Sequence, residues 1–161
     1  MKRAHFLSAA LSAAVVLGAA HAAEPMAGSH HLVVAHDKLV WGPIPPQFPA
    51  GGELAVVQGD PGGDGFYVVR VRFPAGYKIM PHWHPGAENV TVISGKLHVA
   101  AGDVMDEKAG ALLEAGGYVS LPALMHHYAW SDAPTEIQIH GVGPLAIFYV
   151  NPKDDPSGMQ K

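Results

Sequence analysis

The chain has 161 residues, a formal charge of −4 and no cysteine, and a chain of this length can bury a core of its own as one domain. The missing thiols exclude disulfides, cysteine catalysis, thiolate metal sites and iron–sulfur clusters, so any chemistry runs through nitrogen and oxygen donors. An acidic balance without basic clusters argues against nucleic acid and anionic membrane surfaces as partners.

Residues 1–22 read as a secretory signal peptide. Lys2 and Arg3 give a positive start, Phe6 to Ala20 an apolar stretch, and Ala20-His21-Ala22 a small-x-small cleavage site. The apolar run is shorter than the roughly 20 residues a spanning helix needs. The expectation is an exported protein, periplasmic or secreted, with no membrane association after cleavage. Residues 23–49 form a Pro-rich N-terminal arm whose run Gly42 to Pro49 cannot make a central strand. It is expected to lie across the outside of the domain, with Trp41, Ile44 and Phe48 docked on a sheet. His30, His31 and His36 lack an accompanying carboxylate motif and read as an exposed lead rather than a second metal site.

Residues 50–151 form the folded domain and 152–161 a polar C-terminal tail. Strands are expected at Glu53 to Gln58 and Gly65 to Phe73, separated by the turn cluster Gly59 to Asp64. In the second of these, Tyr67, Val69, Val71 and Phe73 share one face, and Arg70 and Arg72 the other. Glu88 to Ile93 and Lys96 to Ala101 form a hairpin through Ser94-Gly95, and Asp103 to Lys108 reads as a single helical turn. Tyr118 to Leu121, His127 to Trp130, Glu136 to His140 and Leu145 to Val150 complete the strands. Such strands, broken by Gly and Pro at short intervals with no long amphipathic helix, belong to an all-β two-sheet sandwich or barrel.

The chemistry concentrates in Gly76 to Gly95. His82 and His84 stand two apart, so an extended strand projects both from one face. Pro85-Gly86 then turns the chain back, and Glu88 opens the next strand aimed at the same point. Two imidazoles and a carboxylate suit a divalent transition metal. A further ligand is expected from the adjacent pair His126 and His127, of which only one can face the metal from a regular strand.

These residues resemble the cupin superfamily. Its first motif is met in full by Gly76, His82, His84, Glu88 and Gly95. Its second is met in part by Gly116, Pro122 and His127, with Leu124 in place of the usual second Gly and Ser131 in place of the usual Asn. The resemblance covers about residues 50–150 and implies a double-stranded β-helix, the jelly-roll β-barrel, with His82, His84, Glu88 and His127 as metal ligands. It also implies a turn near Leu124 that asks for positive φ, a conformation leucine suits poorly.

Three imidazoles and one carboxylate leave about two positions of an octahedral metal open. The expected cofactor is therefore one divalent metal ion, with Fe, Mn, Ni, Cu and Zn all admissible. The resemblance supports an oxygenase-like enzyme acting on a small oxygen-bearing compound. A protein that binds a metal or small ligand without turnover, and a metal-dependent isomerase or oxalate- or superoxide-handling enzyme, stay open beside it. Candidate residues around the substrate are Met80, which shares strand parity with His82 and His84, together with His98, Arg70, Gln138 and His140. If Gln138 and His140 face outward, Ile137 and Ile139 line the cavity instead. The expected partners are a small-molecule substrate or ligand and, through exposed sheet edges, a second copy in a homodimer.

Overall fold

Alternating apolar side chains build two facing antiparallel sheets from strands β1 to β11. The first sheet contains, in spatial order, β1 (Gly42–Pro43), β2 (Glu53–Gln58), β3 (Phe66–Phe73), β10 (Thr135–Val142), β5 (Glu88–Ser94) and β8 (Tyr118–Leu121). The second contains β11 (Phe148–Tyr149), β4 (Tyr77–Trp83), β9 (His127–Ser131), β6 (Lys96–Ala101) and β7 (Ala111–Glu114). This computed structural model describes residues 31–159, and the chain from Val33 onward is one compact unit. The expected signal segment and His30 lie outside the described residues. The fold is the all-β jelly-roll sandwich expected, with two sheets that do not close into a continuous barrel. Among the described residues no helix is long and apolar enough to cross a membrane.

The core lies between the sheets. Tyr67, Val69, Val71 and Phe73 of β3 are buried, as are Val90 and Val92 of β5 and Ile137 and Ile139 of β10. Each such aliphatic side chain, fully buried, contributes about 1.5–3 kcal/mol of transfer free energy. Leu97 faces them from the second sheet, with Ile79 and Tyr77.

Three expectations about elements change. The N-terminal arm is not an outer strap. Gly42 and Pro43 pair with Leu54 and Glu53 at the sheet edge, where a proline's missing N–H costs no ladder bond. Ile44 is then buried in the core with Phe48 packed against it, and the Gln47 carbonyl accepts from the Tyr149 hydroxyl at 2.8 Å. Only Trp41 stays on the outer side, its ring 3.7 Å from the Arg72 guanidinium. Residues 103–108 form turns rather than a helical turn, because the Asp106 carboxylate captures the Lys108 N–H at 2.9 Å and closes the chain locally. The last strand shortens to Phe148–Tyr149, because Leu145 donates its N–H to Pro61 in a neighbouring loop instead of a ladder. β7 was not expected, since Ala-Leu-Leu-Glu carries little strand preference, yet it pairs with β6 from Lys96 to Val99.

Candidate metal centre

The site starts from a bulge in β4. Ile79 pairs with Ala129 and His82 with His127, so Met80 and Pro81 together oppose Tyr128. A proline cannot donate to the ladder, and a bulge is where a sheet accommodates it. The extra residue reverses the strand's parity, so that Tyr77 and Ile79 face inward before it and His82 after it. Met80 therefore does not line the cavity as parity alone suggested. Its backbone carbonyl is what serves the site.

Each of the three histidines is held by a backbone carbonyl. His82 donates from Nδ1 to the Met80 carbonyl at 2.7 Å, His127 to that of Met125 at 2.9 Å, and His84 to that of Ala146 at 2.6 Å. A carbonyl only accepts, so Nδ1 carries the proton in each ring and the Nε2 lone pair is free. One ring nitrogen from each of His82, His84 and His127 lies within 4.8 Å of the others. The Nε2 atoms of His84 and His127 are buried with no hydrogen-bond partner. An orphaned buried imidazole nitrogen is costly unless a ligand satisfies it, and two such nitrogens grouped with a ring nitrogen of His82 fit a transition metal.

Glu88 opens β5 on the facing sheet, on the same inward side as Val90 and Val92. Its Oε2 lies 3.5 Å from Nε2 of both His84 and His127, so it stands at the edge of the three-His group. Burial works to raise the Glu88 carboxyl, but the adjacent His84, His127 and His82 rings outweigh it and bring the group down to about 2. Burial, followed by the neighbouring His127 and His84, pushes His82 down to about 3. Near neutral pH the site offers a neutral His82 ring and a Glu88 carboxylate.

Apart from these four residues the chamber is apolar. Its volume is about 40 Å³, and Ile137, Ile139, Val71, Phe73, Leu121 and Leu97 are among its walls. Tyr67, which sequence reasoning passed over, sits buried on the same face of β3. Burial, and then the Glu88 charge, raise its hydroxyl above the usual range, so it stays protonated. A tyrosine inside an apolar stripe carries no sequence signal that separates it from core.

The other candidates face away. Arg70 and Gln138 pair across the outer face of the first sheet, Nε to Oε1 at 2.9 Å, and Arg70 also donates to Glu136 at 3.0 Å. The alternation that sends Ile137 and Ile139 into the chamber sends Gln138 and His140 out of it. His140 lies near Phe66, at 6.4 Å between rings. His98 stacks on Trp130 at 4.6 Å and its Nε2 lies 3.0 Å from Asp132, on the outer side of the second sheet. His126 turns outward to Asp103 at 2.6 Å, opposite to its neighbour His127. In the arm, His36 reaches Glu136 at 3.1 Å rather than a metal cluster.

Residues 29–146 match the ChrR cupin-like domain. The fold is similar to that of a candidate acetylacetone dioxygenase from Methylibium petroleiphilum PM1, with 22% identity, 79% of this chain and 85% of that chain covered, and a TM-score of 0.60. It is similar to the polyketide cyclase RemF from Streptomyces resistomycificus, with 14% identity, 80% and 91% covered, and a TM-score of 0.65. It is also similar to an RmlC-like cupin from Shewanella frigidimarina NCIMB 400, with 17% identity, 71% and 91% covered, and a TM-score of 0.55. At these identities the likeness speaks for the fold alone. Among curated proteins no sequence matches. With the family match spanning most of the chain and the neighbouring structures sharing its sandwich, the chain belongs to the ChrR cupin-like family of the cupin superfamily.

Proposed function

We propose that this protein is an exported, metal-dependent, oxygenase-like cupin that holds one divalent transition metal through His82, His84 and His127, with Glu88 as a fourth ligand. The observation that carries the reading is the convergence of three carbonyl-tethered imidazoles within 4.8 Å, two of them with orphaned Nε2 atoms, beside a buried carboxylate. A bound Fe, Mn, Ni or Cu ion would supply Lewis acidity and redox chemistry, and Zn the first alone. The chain's own residues do the rest. The three carbonyls keep the Nδ1 protons in place and fix the ring orientations, as partners behind metal-binding histidines do. The apolar walls limit water and strengthen electrostatic interactions inside the chamber. The proposed substrate is a small oxygen-bearing compound able to reach a metal held by these four residues.

A second reading, metal or ligand binding without turnover, is favoured by one feature: among the described residues no titratable side chain beyond the four candidate ligands lines the chamber to act as an independent base. Elemental analysis with electron paramagnetic resonance on untagged protein separates the two. A near-stoichiometric redox metal whose signal changes with chelating substrates supports the enzyme, and zinc, or a metal blind to every ligand, supports binding. His127→Ala is expected to abolish stoichiometric metal and His126→Ala to retain it. Metal loss in the His126 variant alone would sink the ligand assignment.

A further inference from the structure

Beside the three-His chamber lies a second and larger hollow of about 580 Å³. Phe48, Leu54 and Leu145 line both spaces, so the partition between them is one side chain thick. The partition is assembled from three separate segments: the N-terminal arm, β2 and the loop after β10. Phe48 and Leu145 sit on loop backbone, the first donating its N–H to Pro45 at 2.9 Å and the second to Pro61 at 2.7 Å. Joining the two spaces therefore asks for side-chain rotation and leaves every strand in place.

The two spaces differ in size and in chemistry. At about 40 Å³ the inner chamber has room for a small polar head and little more. The outer hollow falls in the ~300–1,000 Å³ range of small-molecule sites. Among the described residues no charged side chain lines it, and Gln47 is its one polar side chain among Pro, Leu, Ile, Phe, Met, Ala and Gly neighbours. The hollow also touches the site's scaffold. Ala146, whose carbonyl orients His84, is one of its walls.

Resting on the metal reading above, we propose that the outer hollow receives the hydrocarbon body of a small amphiphile whose oxygen-bearing head sits at the three-His group. Phe48 and Leu145 then select ligands by the length and girth of that body. The ligand class is an apolar chain or ring carrying a carbonyl, carboxylate or similar oxygen head, since the described lining of the hollow matches an apolar body and not a charged or sugar-like one.

The probes are alkyl hydroxamates of increasing tail length, from acetohydroxamate through butano- and hexano- to octanohydroxamate, titrated calorimetrically into cobalt-loaded protein. Metal content is measured before and after. Affinity is expected to rise about fourfold per methylene until the hollow is filled. Gly62→Leu adds a side chain at a hollow-lining position in an exposed turn, where its Cβ would meet only Asp60 Oδ1 at 3.4 Å, and Gly62 is not part of the chamber wall. It is expected to weaken octanohydroxamate at least tenfold and leave acetohydroxamate unchanged. Phe48→Ala thins the partition and is expected to speed association of the long tails over the short. Stoichiometric cobalt with affinity independent of tail length overturns this proposal alone, as does equal weakening of short and long probes by Gly62→Leu. A protein that takes up no metal overturns the metal reading and this proposal with it.

Discussion

Leu124 holds a left-handed backbone at φ 63°, the one non-glycine described residue to do so. Its N–H bonds the His84 carbonyl at 2.9 Å, so the turn is fastened to a candidate ligand's backbone and cannot relax independently. The side chain is 62% exposed and offers little packing in return. An L-residue in this region costs about 1–2 kcal/mol, whereas glycine there gives up about 0.5–1 kcal/mol of chain entropy. Leu124→Gly is therefore expected to stabilise the protein by up to about 1 kcal/mol in urea unfolding, and a loss of stability would show that the leucine makes contacts beyond its exposed position. The motif predicted this turn from the residue it lacks. It could not predict the carbonyls of Met80, Met125 and Ala146, since a backbone carbonyl is the same in every residue. Of the three, that of Ala146 is brought by a segment 62 positions from His84.

At the scale of elements, the sequence pattern made β2, β3, β5, β6, β8, β9 and β10 legible to within a residue or two, most clearly β3 and β5, where buried and partly buried residues alternate. It failed where an element breaks the period. Pro81 was visible in the sequence, but the bulge it accompanies depends on Tyr128 in the partner strand, and so Met80 packs against the core as a gap filler without lining the chamber. The outer face of the first sheet was partly legible. Alternation places Arg70 and Arg72 together on one face, and what it does not show is their partner, Glu136, opposite Arg72 on β10 and paired with both. Burial acts to raise the Glu136 carboxyl, but hydrogen bonds from Arg72, Arg70 and His36 prevail and lower it. A carboxyl lowered by folding stabilises above its unfolded pKa, and that contribution is lost as pH falls through the folded value. Glu136→Gln keeps the shape and removes the charge. It is expected to cost about 1–3 kcal/mol at pH 7, tempered by the partly exposed arginines. The gap to the wild type should narrow in unfolding experiments carried well below the ordinary carboxylate range, and a gap that does not change with pH would assign the cost to packing.

For the whole molecule, the site joins the two sheets. His82 and His127 belong to the second sheet and Glu88 to the first, so an ion bound to all of them clamps the sandwich across its core. A ligand held at a hundred times its dissociation constant adds about 2.7 kcal/mol to stability, which at this size corresponds to a rise in Tm on the order of 10 °C. Stripping the metal with a chelator is expected to lower the calorimetric Tm by that amount, and an unchanged Tm would argue that no ion spans the sheets. The clamp has one weaker attachment. His82 and His127 are each tethered to a carbonyl two residues earlier in the chain, and these two tethers travel with their own histidines. The tether on His84 comes from the segment leading into β11, which has only two ladder residues, Phe148 and Tyr149, opposite Trp83 and His82. Local opening of that segment, which is held by buried Ile147 and Tyr149 and by the Val150 N–H bond to Pro81 at 2.9 Å, would free one imidazole of three without unfolding the sandwich. The ion's residence time would then be set by this local latch, leaving the cofactor exchangeable in a protein that never comes apart.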